Sequence, residues 1–289
     1  MTTADLGALG LNLAATLVVA LVCALIAFAV GVSTGLHRHV DVAWGLLFVA
    51  IAGTGLVLSA GHGSTGNRWL VTVLTTVWGV RLAAHIGWRG RGTGEDRRYE
   101  RLLSRATGSR DLYALRYVYL LQGVIAWFVS LPVQAAQYNP APLSPWVAVG
   151  VAVWAVGLAF EAAGDAQLIR FQADPANRGK VLDTGLWRYT RHPNYFGEAL
   201  LWWGFGLIGV ATGGVPGLIG PAILTFLLIY VSGVALLEST LIEKAGYIQY
   251  VGRTPAFLPL PPHVRMQLMA KLRAFQSKPP VPTRPDRRY

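Results

Sequence analysis

The chain has 289 residues, of which 53% are hydrophobic and only 13% are charged, roughly half the charged share of a soluble globular protein. In a soluble protein, the formal net charge of +11 would indicate nucleic-acid binding. In so apolar a chain it indicates basic loops beside a membrane, so we predict no nucleic-acid partner. The only cysteine, Cys23, lies in an apolar run, which excludes a disulfide framework and a cysteine-based metal site, and no metal site is predicted.

Seven stretches of the sequence are apolar enough to cross a membrane as helices. About 20 apolar residues are needed for this, because the hydrocarbon core is about 30 Å thick. We therefore predict an all-α, polytopic integral membrane protein with seven transmembrane helices. In chain order the predicted spans are Leu11–Ser33, Val42–Ala60, Trp69–Trp88, Tyr117–Gln137, Pro145–Gly164, Tyr195–Thr212 and Val215–Leu237.

The distribution of arginine and lysine between the loops predicts the orientation. Eight of these residues lie in Arg89–Arg116, five in Asp165–Arg191 and nine after Leu237, whereas the alternate connections hold only Arg68. Cytoplasmic loops carry the excess of basic residues. We therefore expect the N-terminus outside and the C-terminus in the cytoplasm, in a bacterial inner membrane.

No linker divides the sequence, so a single membrane domain is predicted for residues 1–275. Residues 276–289 are rich in proline and charge and are predicted to be a disordered basic tail. Just before this tail, apolar residues recur at helical spacing, which predicts a short helix lying on membrane lipids. These residues are Leu268, Met269, Leu272 and Phe275.

Several ionisable residues lie within or at the ends of the predicted spans. A charge at the centre of a span costs about 2.5–3.5 kcal/mol on insertion scales, so each of them needs a partner or a function. We expect the set to line a polar cavity that opens to the cytoplasm, with simple pairing between helices as the alternative. The residues are Asp41, Arg81, His85, Glu161, Asp165, Glu198 and Glu238.

The strongest local motif covers residues 185–198, GLWRYTRHPNYFGE. Pro193 suits the first turn of a helix, where its missing N–H is no loss. Arg191, Tyr195 and Glu198 then recur at helical spacing, and His192 lies beside Arg191. Because a helix N-terminus attracts anions, the residues by themselves predict a phosphate or carboxylate site at the membrane surface.

Four motifs in the second half of the chain are also characteristic in combination. They cover residues 164–168 (GDAQL), 174–180 (DPANRGK), 191–198 (RHPNYFGE) and 253–259 (RTPAFLP), and Glu238 lies between the last two. Through them, residues 161–262 resemble the C-terminal half of the steroid 5-alpha-reductase-like superfamily. Within it, the chain is most similar to an allied family of uncharacterised bacterial membrane proteins, and Trp78–Leu82 and Gly94–Tyr99 extend this similarity into the N-terminal half.

The resemblance implies that NADPH is held on the cytoplasmic side by the last three helices and their loops. It implies that Asn194 and Glu198 contact the nicotinamide end of the cofactor. The family's Arg-Gly-Arg sequence matches Arg89–Arg91, which would face the phosphates. The residues assigned to the cofactor are Arg89, Arg91, Asp165, Arg178, Tyr189, Arg191, His192, Asn194, Glu198 and Glu238.

Steroid reductases also have a Gln-Glu pair and a tyrosine in their early spans, which act on the keto group of the steroid, and this chain has neither. We therefore expect an NADPH-dependent reductase that transfers a hydride to a C=C or C=O of a hydrophobic substrate entering from the bilayer. A steroid, a polyprenoid or a fatty-acyl chain would each suit this description. The catalytic candidates are Asp41, His85 and Glu198, with Tyr113 and Tyr117 as further proton donors.

Two alternatives remain open at this stage. The Arg-His-Pro run and the trailing glutamate also occur in isoprenylcysteine carboxyl methyltransferases, which bind S-adenosylmethionine. Those enzymes have fewer spans before the motif, and S-adenosylmethionine has no phosphate to engage the arginines. The second alternative is a non-enzymatic lipid-binding or transport protein, although no inverted repeat is visible in the sequence.

Overall fold

The computed structural model describes residues 3–213, 215–242, 244 and 246–265, and all regular secondary structure in this part of the chain is helical. The predicted disordered tail, 276–289, and the predicted helix around Leu268 lie outside the described residues. The α-helices are α1 Thr3–Thr34, α2 His39–Leu58, α3 Thr65–Arg89, α4 Arg97–Leu103, α5 Arg110–Ala114, α6 Leu121–Val129, α7 Leu131–Gln137, α8 Pro145–Ala173, α9 Pro193–Gly213, α10 Ile219–Phe226, α11 Val234–Leu241 and α12 Tyr247–Arg253. Short π-helical segments, Leu115–Leu120 and Leu227–Val231, follow α5 and α10.

Six helical stretches of the described chain are long and apolar enough to cross a membrane. This confirms the prediction of an all-α, polytopic integral membrane protein. The orientation of its termini stays a prediction. The six stretches are Asp5–Thr34, His39–Leu58, Thr65–Arg89, Arg110–Val129, Pro145–Ala173 and Ile219–Glu238.

The predicted span at Tyr195–Thr212 is not among these six, although α9 covers it as a helix of 21 residues. Glycine contacts nevertheless place α9 antiparallel against α8. A Cβ on Gly150 of α8 would lie 2.9 Å from the carbonyl oxygen of Gly204, and one on Gly157 would lie 2.8 Å from that of Gly197. Over this length α9 runs beside an apolar helix, and the seventh span stays a prediction.

The predicted span at Tyr117–Gln137 has different bounds in the structure. The helical stretch begins earlier, at Arg110, and ends at Val129, after which α7 begins as a separate helix. Pro132 lies in the first turn of α7. Since proline has no N–H to donate to the preceding turn, the helix is interrupted at Ser130.

The chain forms two compact units. Unit 1 consists of Met1–Ala159 and Gly197–Leu228. Unit 2 consists of Phe160–Phe196 and Ile229–Tyr289, and within it the described residues include most of the half assigned to the cofactor by resemblance. The predicted domain bounds themselves stay a prediction.

The core of unit 1 is a group of buried aromatic rings. Trp202 lies with its ring centroid 4.8 Å from Phe48, 5.2 Å from Trp78 and 5.0 Å from Phe205. All four side chains are at most 1% exposed. Edge-to-face and tilted contacts of this kind add to the free energy of burial.

Unit 2 is held together by hydrogen bonds around a short 3₁₀ turn, Gly185–Arg188. Trp187 donates from Nε1 to the carbonyl of Gly164 at 3.2 Å, and Tyr250 donates its hydroxyl to the carbonyl of Trp187. The N–H of Leu186 donates to Oε1 of Gln167 at 2.9 Å. The turn therefore ties α8 to α12.

Candidate cofactor site

Arg191 and Glu238 form a bidentate ion pair in unit 2. Arg191 donates from Nε to Oε1 of Glu238 at 2.7 Å and from Nη2 to Oε2 at 2.9 Å. His192 lies with Nε2 3.1 Å from the same Oε1. Arg191 is 7% exposed and His192 3%. The two basic residues of the motif therefore converge on one carboxylate from α11.

The same arginine also binds the end of α12 and the segment that follows it. Its Nη1 donates to the carbonyls of Val251 and Thr254, and its backbone N–H donates to Pro255 at 2.9 Å. Thr190 donates its hydroxyl to the carbonyl of Phe257 at 2.8 Å. Each nitrogen of the guanidinium is thus engaged within the chain, and the geometry gives Arg191 a positioning role for the start of α9.

A tyrosine completes this cluster. Tyr247 is 4% exposed, and burial together with the neighbouring Glu238 carboxylate raises the pKa of Tyr247 to about 12, although Arg191 works in the opposite direction. Its hydroxyl therefore stays protonated at neutral pH. Direct contact of Arg191, His192 or Glu238 with a cofactor stays a prediction.

Asp165 and Asn194 form a second polar pair. Asn194 donates from Nδ2 to Oδ1 of Asp165 at 3.2 Å, and Asp165 is 5% exposed. The other end of the amide, Oδ1 of Asn194, is buried and has no hydrogen-bond partner among the described residues. The close approach depends on Gly164, because a Cβ there would lie 3.1 Å from the backbone nitrogen of Asn194.

Two clefts follow one another along α8 and share Phe171 as a wall. The first, of about 360 Å³, is lined by Gln167, Arg170, Phe171, Leu182, Thr184 and Gly185. The second, of about 290 Å³, is lined by Phe171, Gln172, Ala173, Asp174, Pro175, Asn177, Arg178, Gly179 and Lys244. At 1.5 Å per residue, the α8 residues that line the two clefts, from Gln167 to Ala173, cover about 9 Å of the helix axis. The two clefts therefore define a groove, which we name the α8 groove.

The loop that carries Arg178 is fixed by its own hydrogen bonds. Asp174 accepts at Oδ1 from the N–H of Ala176 at 2.9 Å, and Asn177 donates from Nδ2 to the carbonyl of Phe171 at 3.1 Å. Gly179 adopts φ +82°, a conformation that residues with a Cβ rarely adopt. The DPANRGK motif thus closes the end of α8 and holds Arg178 at the second cleft.

In unit 1, Asp41 belongs to an ionic cluster with α4. It accepts from Nη2 of Arg98 at 2.7 Å and from the hydroxyl of Tyr99. Burial raises the pKa of Tyr99, and the Asp41 carboxylate raises it further. Burial would also raise the pKa of Asp96, but its hydrogen bonds with Arg98 outweigh burial and lower this pKa. Asp41 thus links α2 to α4, and its role as a proton donor stays a prediction.

The other predicted site residues of unit 1 lie on α3 and α9. His85 is half-buried, one turn before Arg89, and both Arg89 and Arg91 are exposed at the end of α3. Glu198 is 8% exposed and lies one helical turn after Asn194 on α9. These residues lie outside unit 2, in which the α8 groove is found.

The remaining predicted residues lie in unit 2. Tyr189 is 39% exposed, and its backbone carbonyl accepts from Leu260 at 3.0 Å. The structure thus brings together Arg191, His192 and Glu238 in one cluster and Asp165 and Asn194 in another. It places Arg178 in the second cleft.

Three groups that matter here were missed from the sequence. Arg98 and Tyr99, the partners of Asp41, are 57 and 58 residues away from it, and no sequence pattern connects them. Lys244 enters the cleft of Arg178. Lys244 is the only basic residue between Glu238 and Arg253. This isolated position is the one feature of the sequence that could have indicated it.

The helices and the buried polar clusters define the class of the protein, a polytopic α-helical membrane protein. Residues 27–254 match the family described as "Protein of unknown function (DUF1295)", and the chain belongs to this family. The predicted membership of an uncharacterised membrane protein family is confirmed at this level. No curated protein and no solved structure matches the chain.

Proposed function

We propose that the protein is a membrane-embedded reductase that uses NADPH to reduce a C=C or C=O of a hydrophobic substrate. The proposal rests on the hydrogen bonding of the side-chain amide of Asn194. Its Nδ2 is held by Asp165, while its buried Oδ1 lacks a partner among the described residues. A buried acceptor without a partner is costly, and a ligand N–H would satisfy it.

A nicotinamide carboxamide has the matching donor. Its NH₂ group would donate to Oδ1 of Asn194, and Asp165 fixes which end of the amide side chain faces the ligand. NADPH, when bound, supplies the hydride, and the protein supplies orientation and electrostatics. The resemblance also assigns Glu198 to the nicotinamide end, and this assignment stays a prediction.

The α8 groove offers cations for the phosphates of a dinucleotide. It extends about 9 Å along α8, from Gln167 to Ala173. Arg170 lines the first cleft, and Arg178 and Lys244 line the second. The cations of the two clefts can bind phosphate groups, which NADPH has and S-adenosylmethionine lacks. The groove therefore favours the reductase over the methyltransferase.

The substrate is proposed to enter from the bilayer, since the chain is a membrane protein. The proton that accompanies hydride transfer needs a donor beside the developing negative charge. Three of the predicted donors, Asp41, His85 and Tyr113, are half-buried on candidate spans. A steroid, a polyprenoid and a fatty-acyl chain remain the proposed substrate classes.

Calorimetric titration of the detergent-purified chain with NADPH and with S-adenosylmethionine tests the proposal. We expect NADPH to bind and S-adenosylmethionine not to bind, and Asn194→Ala to weaken NADPH binding at least tenfold, the effect of a hydrogen bond worth about 1.5 kcal/mol. Asn67→Ala is the matched control, because Asn67 also has a buried Oδ1 without a partner among the described residues and donates from Nδ2 to a carbonyl at 2.9 Å. Binding of S-adenosylmethionine alone would replace the reductase with a methyltransferase.

A further inference from the structure

Lys244 and Arg178 come from distant parts of the sequence and line the same cleft of about 290 Å³ in unit 2. Neither the motif pattern nor the resemblance assigns any role to Lys244. Like-charged side chains repel each other, so two cations facing one cleft gain stability when an anion lies between them. The pair therefore indicates a ligand group with negative charge.

The backbone fixes both cations at the cleft. The N–H of Lys244 donates to the carbonyl of Leu241 at 2.9 Å, and the carbonyl of Lys244 accepts from Tyr247 at 3.0 Å. Gly246, at φ +79°, allows the turn between α11 and α12. On the other side, the N–H of Arg178 donates to the carbonyl of Pro175 at 3.1 Å. The backbone positions of the two residues are thus set by turns.

The net charge of the cleft lining depends on each of the two cations. Asp174 is the only acidic residue among the described residues of its lining, and its Oδ1 accepts from the N–H of Ala176. With Arg178 and Lys244, the described part of the lining carries two positive charges and one negative charge, a net charge of +1. Removing either cation makes the lining neutral. A dianionic group would respond to this loss more strongly than a monoanionic one.

We propose that Lys244 and Arg178 together hold the 2′-phosphate of the cofactor and that Lys244 is a specificity-determining residue for NADPH over NADH. This inference rests on the proposed function. The adenosine 2′-phosphate is a phosphate monoester, which carries close to two negative charges at neutral pH and three acceptor oxygens. Arginine offers it a planar pair of donors, and lysine offers a compact charge that reaches a third oxygen.

The test compares two small probes that differ only in this phosphate. Adenosine 2′,5′-bisphosphate and adenosine 5′-monophosphate are titrated calorimetrically against the full chain in detergent at low ionic strength, where charge effects are least screened. We expect the wild type to prefer the bisphosphate at least tenfold, and Lys244→Gln and Arg178→Gln each to reduce the preference about tenfold. Asp174→Asn, which keeps the cap of the loop, should increase the preference.

Lys180→Gln is the matched control, since Lys180 is an exposed lysine two residues from Arg178 that does not line the cleft. It should leave the preference unchanged. A wild type that binds both probes equally, or a preference lowered as much by Lys180→Gln as by Lys244→Gln, would overturn the inference. Binding of short-chain phosphatidic acid that depends on Lys244, without any preference between the nucleotides, would assign the cleft to a lipid headgroup instead.

Titration with NADPH and NADH separates this inference from the proposed function. If NADPH binds more tightly than NADH and Lys244→Gln leaves the ratio unchanged, the role of Lys244 is wrong and the reductase proposal stands. If neither dinucleotide binds to the wild type, the proposed function fails and the inference fails with it. A ratio that falls about tenfold in Lys244→Gln supports both.

Discussion

Replacement of Glu238 by glutamine should destabilise the protein, because it leaves Arg191 buried without its counter-charge. Breaking a buried ion pair by removing one partner costs about 3–5 kcal/mol. Arg191 has a side chain only 7% exposed, but that of Glu238 is 23% exposed, so we take the lower end, about 3 kcal/mol. For a chain of this size each kcal/mol shifts the melting temperature by roughly 2–4 °C, which gives a decrease of about 6–12 °C.

The assay is a melting curve of the detergent-purified protein, recorded with and without NADPH. If Arg191 and Glu238 position the start of α9, the apo form of Glu238→Gln should melt lower than the wild type, and added NADPH should still stabilise it. Arg188→Gln, at an exposed arginine of the same motif, is the control and should change stability by no more than about 0.5 kcal/mol. An unchanged apo melting temperature together with a lost NADPH effect would refute the positioning role and make Glu238 a cofactor contact.

Three further predictions address the helices, the ionic cluster of unit 1 and the topology. Gly157→Ala should lower the unfolding free energy by about 1–3 kcal/mol, because the new Cβ would clash with α9. Gly53 has open space around it, so Gly53→Ala should be neutral or slightly stabilising in the same thermal assay. Asp41→Asn should lower the melting temperature through the lost ion pair while leaving the calorimetric affinity for NADPH unchanged; a selective loss of affinity would contradict this. A topology reporter fused after Tyr289 should report the cytoplasm and one inserted at Pro140 the outside, and a cytoplasmic signal from Pro140 would contradict the seven-span arrangement.

Local chemistry explains why much of the fold was predictable from the sequence. The free energy of placing a segment in a bilayer depends mainly on its own composition, so five of the predicted spans coincide closely with candidate membrane helices. The bounds at Tyr117–Gln137 were wrong because the effect of Pro132 on the helix was not taken into account. Its missing donor interrupts the helix whatever the hydropathy of the flanking residues.

The candidate site was predictable only in part. The motif around Pro193 correctly indicated the start of a helix, and the DPANRGK sequence contains the cap and the glycine that its loop requires. By contrast, the basic residues beside Pro193 suggested an anion site, and the structure shows Arg191 and His192 at the carboxylate of Glu238. Sequence reasoning identifies charges, but it does not show which charge reaches which partner.

By itself, then, the sequence determined the membrane class of the protein, its helices and the turns that need proline or glycine, because these depend on each residue and its near neighbours. Only the tertiary structure decided that Arg191 meets Glu238 at a separation of 47 residues and that Lys244 faces the cleft of Arg178. Such pairings depend on how helices pack, and a buried charge is stable only where that packing brings it a partner.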